Sequence, residues 1–183
     1  MKSSRVTLRS PAEIAQAREA GHLAARVLHM ITPHVQPGVS TEALDRLCHD
    51  YIVNELQVTP ANVGYLGYPK TVCTSVNHVI CHGIPSPGQV LKAGDIINID
   101  VAIIKDGWFG DTSRMYFVGE PSPLARRLVD TTYEAMCAGI AQVRPGATLG
   151  DVGHAIQSVA HRERFSVVRE YCGHGIGQIY HDE

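Results

Sequence analysis

Two aspartates, Asp100 and Asp111, lie in a stretch of the sequence that is otherwise rich in apolar and β-branched residues. Residues Ile96–Ile104 and Thr112–Val118 each have the composition of a β-strand. The dipeptide Asp106-Gly107 between them is typical of the two-residue turn of a β-hairpin. The sequence therefore predicts a hairpin that carries one aspartate on or beside each strand.

The turn also determines which side chains of the two strands face each other. It pairs Ala102 with Asp111 and Asp100 with Ser113. Because side chains alternate faces along a strand, both carboxylates then lie on one face as diagonal neighbours, with Cα atoms roughly 7–8 Å apart. A bulge near Gly110 would shift this pairing by one residue.

Two carboxylates this close repel each other and are costly to bury. Either one of them is protonated or a cation lies between them. Carboxylates suit Mg²⁺, Ca²⁺ and Mn²⁺, and an added imidazole extends the choice to Zn²⁺, Fe²⁺ or Co²⁺. The alternative is that Asp111 caps the turn with Thr112 and Ser113 while Asp100 faces water. The hairpin alone leaves both interpretations open.

The composition is that of an ordinary globular chain of 183 residues, 44% of them hydrophobic, which is enough to form one sizeable core. A net charge of −2 favours neither nucleic acid nor a membrane surface as the main partner. No apolar run has the length of a transmembrane helix, and Met1–Arg5 lacks the apolar core of a signal peptide. The five cysteines contain no C-x-x-C motif, as expected for reduced thiols of a cytoplasmic protein: Cys48, Cys73, Cys81, Cys137 and Cys172.

Helices and short strands precede the hairpin. Ser10-Pro11-Ala12-Glu13 has the pattern of a capping box with proline in the first turn, so we expect a helix to begin there and to end at Pro33. A second helix is expected from Ser40 or Thr41. Two short strands are predicted between this helix and the hairpin, at Thr71–Val76 and Val79–Ile80.

The second part of the chain repeats a pattern of the first. Val35-Gln-Pro-Gly-Val-Ser40 is echoed 108 residues later by Val143-Arg-Pro-Gly-Ala-Thr148. Helices are expected on either side of the second copy, at about 123–143 and 149–161, and a strand at Phe165–Tyr171. The matched context indicates an internal duplication.

The duplication predicts the domain organisation. We expect a single domain in which a first unit spans about 10–118 and a partial second unit spans about 120–183. Applying the same offset of 108 residues places the hairpin of the second unit beyond residue 183. The expectation is that the given sequence lacks this C-terminal portion.

Three histidines join the aspartates as candidates for chemistry: His82, His174 and His181. A lone histidine beside glycine is usually a loop residue. His174 is the strongest candidate of the three, because the flanking glycines of Cys172-Gly-His-Gly-Ile-Gly177 let backbone and ligand approach closely. One histidine with two carboxylates forms a suitable donor set for a divalent metal ion.

Five motifs occur along the chain in one order and with consistent spacing. They are Gly67-Tyr-Pro-Lys70, Cys81-His-Gly-Ile-Pro85, Asn98-Ile-Asp-Val101, Lys105-Asp-Gly…Gly110-Asp-Thr-Ser113 and Val167-Val-Arg-Glu-Tyr-Cys-Gly-His-Gly-Ile-Gly177. Together they resemble type I methionine aminopeptidase, and the resemblance runs from about Ser10 to the last residue. It implies the α+β pita-bread fold, a duplicated α/β structure with a curved antiparallel sheet, whose second half would be incomplete here.

The resemblance also implies roles for individual residues. Asp100, Asp111 and His174 correspond to three of the family's five metal ligands, with Asp111 bridging two ions. His82 corresponds to the histidine that contacts the scissile amide nitrogen of the substrate. His181 corresponds to the histidine that polarises the carbonyl group.

Four further residues resemble the walls of the pocket for the methionine side chain: Tyr65, Tyr68, Cys73 and Tyr180. The alternative for these four is ordinary packing in loops and core. The chain departs from the family pattern at Asn62, where a pocket cysteine is common. It departs again at His78, which replaces a frequent acidic residue, and at the bulky Trp108-Phe109.

The implied activity is metal-dependent hydrolysis that removes the initiator methionine from nascent proteins. Two divalent ions are expected for the family, of Co, Mn, Fe, Zn or Ni, and three ligands could hold a single ion. The family's two remaining ligands are glutamates expected beyond residue 183, one of which also shuttles the proton. These 183 residues alone are therefore expected to be impaired in activity, and an exposed sheet edge and uncovered core would promote self-association.

The implied partner is the N-terminal methionine of a nascent peptide, with transient ribosome association and no specific nucleic acid or membrane. A cytoplasmic, monomeric full-length protein is expected. One alternative is a non-catalytic pita-bread module that binds peptides or the ribosome, but such a module would be expected to have lost its metal ligands. Another is a related peptidase that cleaves before proline, which the short region ahead of Ser10 disfavours.

Overall fold

The first helix, α1, spans Pro11–Ile31 and begins at the predicted capping box. Ser10 Oγ accepts a hydrogen bond from the Glu13 backbone N–H, and the Glu13 carboxylate accepts one from the Ser10 N–H at 2.7 Å. A single 3₁₀ turn follows at Thr32–His34. Both predicted ends of this helix are confirmed. The structure, a computed structural model, describes residues 7–182, so the prediction made for Met1–Arg5 lies outside the described residues.

The second helix, α2, spans Thr41–Asp50 and continues into a wider turn at Tyr51–Glu55. Ser40 caps it by accepting a hydrogen bond from the Ala43 N–H, as its type and position predict. Strand β1 is short and spans Thr59–Pro60, whereas β2 spans Val72–Val76.

The predicted hairpin consists of β3, Ile96–Lys105, and β4, Trp108–Phe117. All pairings in the sheet are antiparallel: β4 lies along one edge of β3, and β2 and β1 pair with successive parts of its other edge. Asp106 and Gly107 both have positive φ, which is the conformation of a type I′ turn.

The predicted register is confirmed. Ala102 faces Asp111 and Asp100 faces Ser113, and the ladder continues past Gly110 without a bulge. The two aspartates therefore lie on the same face of the sheet, two residues apart along the ladder.

The two faces of the sheet have different environments. On β3 the fully buried side chains of one face form the hydrophobic core with α1: Ile97, Ile99, Val101 and Ile103. On the same face of β4, Gly110 lies against the helix so closely that a Cβ atom there would be 2.2 Å from the Ala20 carbonyl oxygen. Asp100 and Asp111 lie on the opposite face, where both side chains are partly buried.

Two predicted strands are wrong. Val79–Ile80 lies in a loop directly after a turn, and Phe165–Tyr171 is irregular and has no ladder partner among residues 7–182. Both segments have β-prone residues, but a strand forms only where a second strand accepts its backbone hydrogen bonds. The local composition of a segment does not show whether such a partner strand is present.

Residues Pro121–Gly173 form a separate compact unit, and the remainder of the described chain forms the other. The smaller unit contains α3, Pro123–Ile140, and α4, Leu149–Arg162. The helix α3 ends three residues earlier than the predicted range of about 123–143. The close approach of Gly139 to Ile156 shows that the two helices pack tightly on each other. Among the described residues, no helix combines the length and apolar character needed to cross a membrane.

The two copies of the repeated motif adopt the same local conformation. Gly38 and Gly146 have φ values of +88° and +89°. Ser40 and Thr148 then cap the following helices through their side chains. This similarity supports the predicted duplication, whereas the assignment of the chain to a single pita-bread domain stays a prediction.

Candidate metal and substrate site

The candidate site lies on the face of the sheet opposite the core. Asp100 on β3 and Asp111 on β4 are partly exposed, and Cys73 on β2 is paired directly with Asp100. Burial raises the pKa of Asp100, and repulsion by the Asp111 carboxylate raises it further, whereas His174 opposes this shift. The hairpin therefore holds a carboxylate pair whose charged form is disfavoured unless a cation is close.

His174 completes a group of three donors. Its Nε2 lies 3.4 Å from Asp111 Oδ2, and its Nδ1 lies 2.8 Å from the Gly175 carbonyl oxygen. A carbonyl oxygen only accepts hydrogen bonds, so Nδ1 carries a proton. In the neutral ring Nε2 then has a lone pair close to a carboxylate, and two acceptors are stable side by side only with a proton or a metal ion between them.

These donors fit a divalent cation by their chemistry. Two carboxylates and one imidazole are a common ligand set for Mn²⁺, Fe²⁺, Co²⁺ or Zn²⁺. The fit rests on the donor types and on the acceptor–acceptor contact, since no three His, Cys, Asp or Glu side chains within residues 7–182 have the spacing of a formed metal site.

His181 lies beside this group. Its ring centroid is 4.3 Å from that of His174, and its Nδ1 is 2.8 Å from the Tyr65 hydroxyl. Burial lowers the pKa of His181, and the neighbouring His174 lowers it further. The ring is therefore biased toward the neutral form, in which one nitrogen donates and the other accepts.

Tyr180 connects the histidines to the rest of the site. Its ring stacks on Phe109 at 5.0 Å and lies 4.4 Å from His181. Its hydroxyl donates to Asn62 Oδ1 at 2.7 Å, and Asn62 in turn donates to the Thr71 carbonyl oxygen. Burial and the negative charge of Asp111 raise the pKa of Tyr180, so the phenol stays protonated and remains a donor.

Tyr68 and Cys73 occupy the side of the site formed by β2. The Tyr68 hydroxyl lies within hydrogen-bonding distance of the Val72 and Gly83 carbonyl oxygens, at 3.0 and 3.1 Å. Burial raises the pKa of the Cys73 thiol to about 11, so it is present as a neutral, weakly polar group. Both side chains thus present mainly non-ionised surface to the site.

His82 has a left-handed backbone conformation with φ of +55° and is exposed. The following Gly83 lies against β2, where a Cβ atom would be 2.2 Å from the Thr74 carbonyl oxygen. Gly83 also accepts a hydrogen bond from the Thr74 N–H at 2.8 Å. His82 is close enough to lower the pKa of His181. The structure therefore brings His82 to the edge of the group.

All nine side chains singled out in the sequence belong to this group or border it. They are Tyr65, Tyr68, Cys73, His82, Asp100, Asp111, His174, Tyr180 and His181. Asn62 and Phe109 also border the site. The sequence did not identify them as site residues, although Asn62 was noted at the position of a common pocket cysteine and Phe109 for its bulk. Phe109 could have been found, because it precedes Asp111 by two residues and so shares its face. For Asn62 the signal was the resemblance itself, which aligns this residue with a pocket position of the family.

The chain is similar to known proteins of one family. The model of metallopeptidase family M24 matches residues 15–183. The chain is 53% identical over 178 residues to the methionine aminopeptidase of Escherichia coli strain K12, covering 97% of this chain and 67% of that protein.

Solved structures are similar as well. The crystal structure of methionine aminopeptidase from Rickettsia prowazekii matches with a TM-score of 0.95 and 51% identity, over 98% of this chain and 71% of that one. The corresponding structure from Thermotoga maritima matches with a TM-score of 0.94 and 35% identity, over 98% of this chain and 72% of that one.

Proposed function

Because this chain belongs to metallopeptidase family M24 and, within it, to the methionine aminopeptidases, we propose that its site removes the initiator methionine from the N-terminus of nascent peptides. Its α+β architecture with an antiparallel sheet is the pita-bread fold of that family. The observation that carries the proposal is the contact of His174 with Asp111, on the sheet face that also holds Asp100.

Asp100, Asp111 and His174 are the residues that would hold a divalent cation. The negative charge of the two carboxylates attracts the ion, and the Nδ1–H bond to the Gly175 carbonyl keeps His174 Nε2 available as a donor. When bound, the ion supplies Lewis acidity toward a peptide carbonyl and a nucleophilic water. The family implies divalent metal ions, and we propose Mn²⁺, Fe²⁺ or Co²⁺ as the candidates to test first.

We propose that His181 stabilises negative charge on the substrate. If the Tyr65 O–H donates to Nδ1 of the neutral ring, the proton of the ring lies on Nε2. An Nε2–H group donates a hydrogen bond to the oxygen on which negative charge develops during attack on the carbonyl. We propose that Tyr65 fixes this tautomer, and that His82 contacts the amide nitrogen of the scissile bond.

The aromatic side chains would bind the methionine side chain. Tyr65 and Tyr180 have ring centroids 4.9 Å apart in an edge-to-face arrangement, and Cys73 lies beside Asp100. A thioether makes favourable contacts with aromatic rings, and the neutral thiol and protonated phenol place no charge against it. Tyr68, whose hydroxyl is bonded to the backbone, would contribute mainly ring surface.

The experiment that tests this proposal measures divalent-metal binding and methionine release with matched variants. Calorimetry with Mn²⁺ should detect binding that Asp111→Asn weakens at least about tenfold. Asp106→Asn is the control, because it makes the same chemical change in the same hairpin at an exposed turn position where asparagine also tolerates positive φ. Binding that is equal in the two variants would contradict the assignment of Asp111.

Methionine release from a Met-Ala-Ser peptide tests the activity itself. The resemblance assigns two glutamate ligands to sequence beyond residue 183, one of which moves the proton, so a polypeptide of these 183 residues should turn over slowly. Turnover equal to that of a full-length methionine aminopeptidase would show that these glutamates are not needed. Absence of any Asp111-dependent metal binding would instead favour a non-catalytic peptide- or ribosome-binding module.

The same resemblance suggests a cellular location, a partner and an oligomeric state for the full-length protein. We propose a cytoplasmic location with transient contact to the ribosome, where nascent N-termini become available, and a monomeric state for the full-length protein. The retained carboxylates and histidine favour the enzyme over the binding module, because a module has no use for a costly pair of acidic side chains.

A further inference from the structure

Arg9 precedes α1 and contacts residues that are distant in the sequence. Its Nη2 lies 3.3 Å from the Asp182 carboxylate, and its guanidinium lies over the Trp108 ring at 5.2 Å from the centroid. Its Nη1 also lies 3.9 Å from Glu13. The Arg9 side chain is partly buried, with 23% of its surface exposed. One side chain thus joins the turn of the hairpin to the end of the described chain.

The segment that Arg9 contacts carries three residues of the candidate site. Residues 174–182 contain His174, Tyr180 and His181, and an isolated bridge between Gly175 and Asp182 folds the segment back on itself. The Phe109 N–H on β4 donates a 2.8 Å hydrogen bond to the Gly177 carbonyl oxygen. This hydrogen bond attaches segment 174–182 to strand β4, which also carries Asp111.

Gly177 is buried, and the Arg9 guanidinium lies directly against it. A Cβ atom on Gly177 would be 2.8 Å from the Arg9 Nη2 atom. The guanidinium therefore occupies the space that a side chain at position 177 would take, between the Trp108 ring and Asp182. This arrangement depends on a planar cation, which stacks on an aromatic ring and donates to a carboxylate at its edge.

The position of Arg9 is not explained by the stability of α1. A positive charge just ahead of a helix N-terminus is unfavourable, because that end carries the positive part of the helix dipole. Glu13 offsets this effect only in part, at a distance of 3.9 Å. A residue held where the helix disfavours it is expected to have another role.

We propose that Arg9 is a positioning residue that holds segment 174–182 against the β3–β4 hairpin and so keeps His174 facing Asp111. The role in attaching the segment depends only on the contacts described above. The consequence for metal binding rests on the proposed function, because it requires that His174 and Asp111 share an ion.

Hydrogen exchange measured by NMR on the 183-residue chain tests the attachment directly. Arg9→Met should make the Phe109 amide exchange about fivefold faster, the effect of losing a partly buried ion pair. Asp182→Asn should have a similar effect, and the double variant should be no worse than either single variant. Arg9→Lys should restore part of the protection, since it keeps the charge but not the planar group.

Two internal references distinguish attachment from general stability. The Ile99 amide in the central strand reports global unfolding. Arg46→Met removes an arginine that is also ion-paired, with its Nη2 3.8 Å from Glu42, but whose side chain is largely exposed and distant in sequence from segment 174–182. Arg46→Met should leave Phe109 unchanged. If Phe109 and Ile99 accelerate in parallel in Arg9→Met, the loss is global and the proposal is overturned. Unchanged exchange at Phe109 would overturn it as well.

Mn²⁺ calorimetry tests the consequence for the site. Arg9→Met should bind Mn²⁺ about tenfold more weakly than the wild-type chain, the usual effect of losing an outer contact that orients a ligand. Equal Mn²⁺ affinity together with faster Phe109 exchange would overturn the link to His174. If the wild-type chain binds no Mn²⁺, the proposed function fails, while the exchange measurements still decide whether Arg9 attaches the segment.

Discussion

The Tyr180 hydroxyl donates a 2.7 Å hydrogen bond to Oδ1 of Asn62, although 118 residues separate the two in the sequence. Asn62 is only 7% exposed, and its amide nitrogen donates to the Thr71 carbonyl oxygen at 3.1 Å. Both hydrogen-bonding ends of this side chain are therefore in use. The pair fixes the orientation of the Tyr180 ring, which lies between Phe109 and His181.

We expect Tyr180→Phe to lower the free energy of unfolding by about 1 kcal/mol, because a buried amide oxygen loses its donor. Asn62→Ala should cost more, about 2 kcal/mol, since it also leaves the Thr71 carbonyl oxygen without its partner. Urea unfolding followed by the fluorescence of Trp108, the single tryptophan of the chain, measures both changes.

A double-mutant cycle isolates the bond between the two residues. The variant with both substitutions should be less destabilised than the sum of the single changes, by about 1 kcal/mol. Tyr133→Phe is the control, because it removes a phenol oxygen from a ring that is 66% exposed. Strict additivity of the two site substitutions would show that the bond contributes nothing to stability.

Gly110 and Gly21 lie at the same contact between β4 and α1 but should respond in opposite directions to alanine. A Cβ atom at Gly110 would overlap the Ala20 carbonyl group, whereas one at Gly21 would meet no atom within 4 Å. Gly110→Ala should therefore destabilise the protein by about 3 kcal/mol and displace the neighbouring Asp111. Gly21→Ala should stabilise the helix by up to about 1 kcal/mol.

Thermal unfolding of both variants checks this pair of predictions. The displacement of Asp111 can be followed separately, because weaker Mn²⁺ binding should accompany Gly110→Ala but not Gly21→Ala. A Gly110→Ala variant as stable as the wild-type chain would contradict the close approach of strand and helix.

The features that sequence analysis predicted correctly are those that neighbouring residues determine. The hairpin register follows from Asp106-Gly107 and the alternation of side chains, so the shared face of Asp100 and Asp111 could be derived without any distant contact. The same holds for the capping box at Ser10 and Glu13. In each case the residues that form the structure lie within a few positions of each other.

The features that were missed depend on residues far apart in the chain. Val79–Ile80 and Phe165–Tyr171 have the composition of strands, but whether they pair is decided elsewhere in the sequence. The hydrogen bond between Tyr65 and His181 spans 116 residues, and the ion pair between Arg9 and Asp182 spans 173. The resemblance to a family identified most site residues, but it could not reveal contacts specific to this chain, such as that of Asn62.

Cys48 and Cys137 should differ strongly in their reaction with iodoacetamide. Cys48 is fully buried, and burial raises the pKa of its thiol to about 12, with a further contribution from Asp45. Only the thiolate reacts, so at pH 8 about one Cys48 thiol in ten thousand is in the reactive form, even before access is considered. Cys137 is exposed on α3 and open to the reagent.

Mass spectrometry of the labelled protein should find Cys137 modified rapidly and Cys48 unmodified on the same timescale. Because the pKa of Cys48 is raised, its thiolate fraction increases tenfold with each pH unit up to about pH 12 and stays small at pH 9. Labelling in concentrated urea is the control, since unfolding should make all five cysteines reactive. Modification of Cys48 at the rate of Cys137 in native buffer would contradict its burial.

Asp45 on α2 connects that helix to β2, the strand that places Cys73 beside Asp100. Its Oδ1 atom accepts hydrogen bonds from the backbone N–H groups of Thr71 and Val72, at 2.8 and 3.0 Å. The Asp45 side chain is buried, as is Thr71. A single carboxylate oxygen therefore satisfies two buried donors at the start of the strand.

Asp45→Ala should lower the free energy of unfolding by about 3 kcal/mol, because two buried N–H groups lose their acceptor at once. Asp45→Asn is the matched variant: it keeps an oxygen acceptor in the same place but not its charge, so about half of that loss is expected. Urea unfolding followed by Trp108 fluorescence measures both. If Asp45→Ala were within 0.5 kcal/mol of the wild-type chain, about the spread of neutral surface substitutions, water would have to satisfy the two N–H groups. In that case α2 would not be what fixes the start of β2, and the position of Cys73 in the site would have to depend on its pairing with β3 alone.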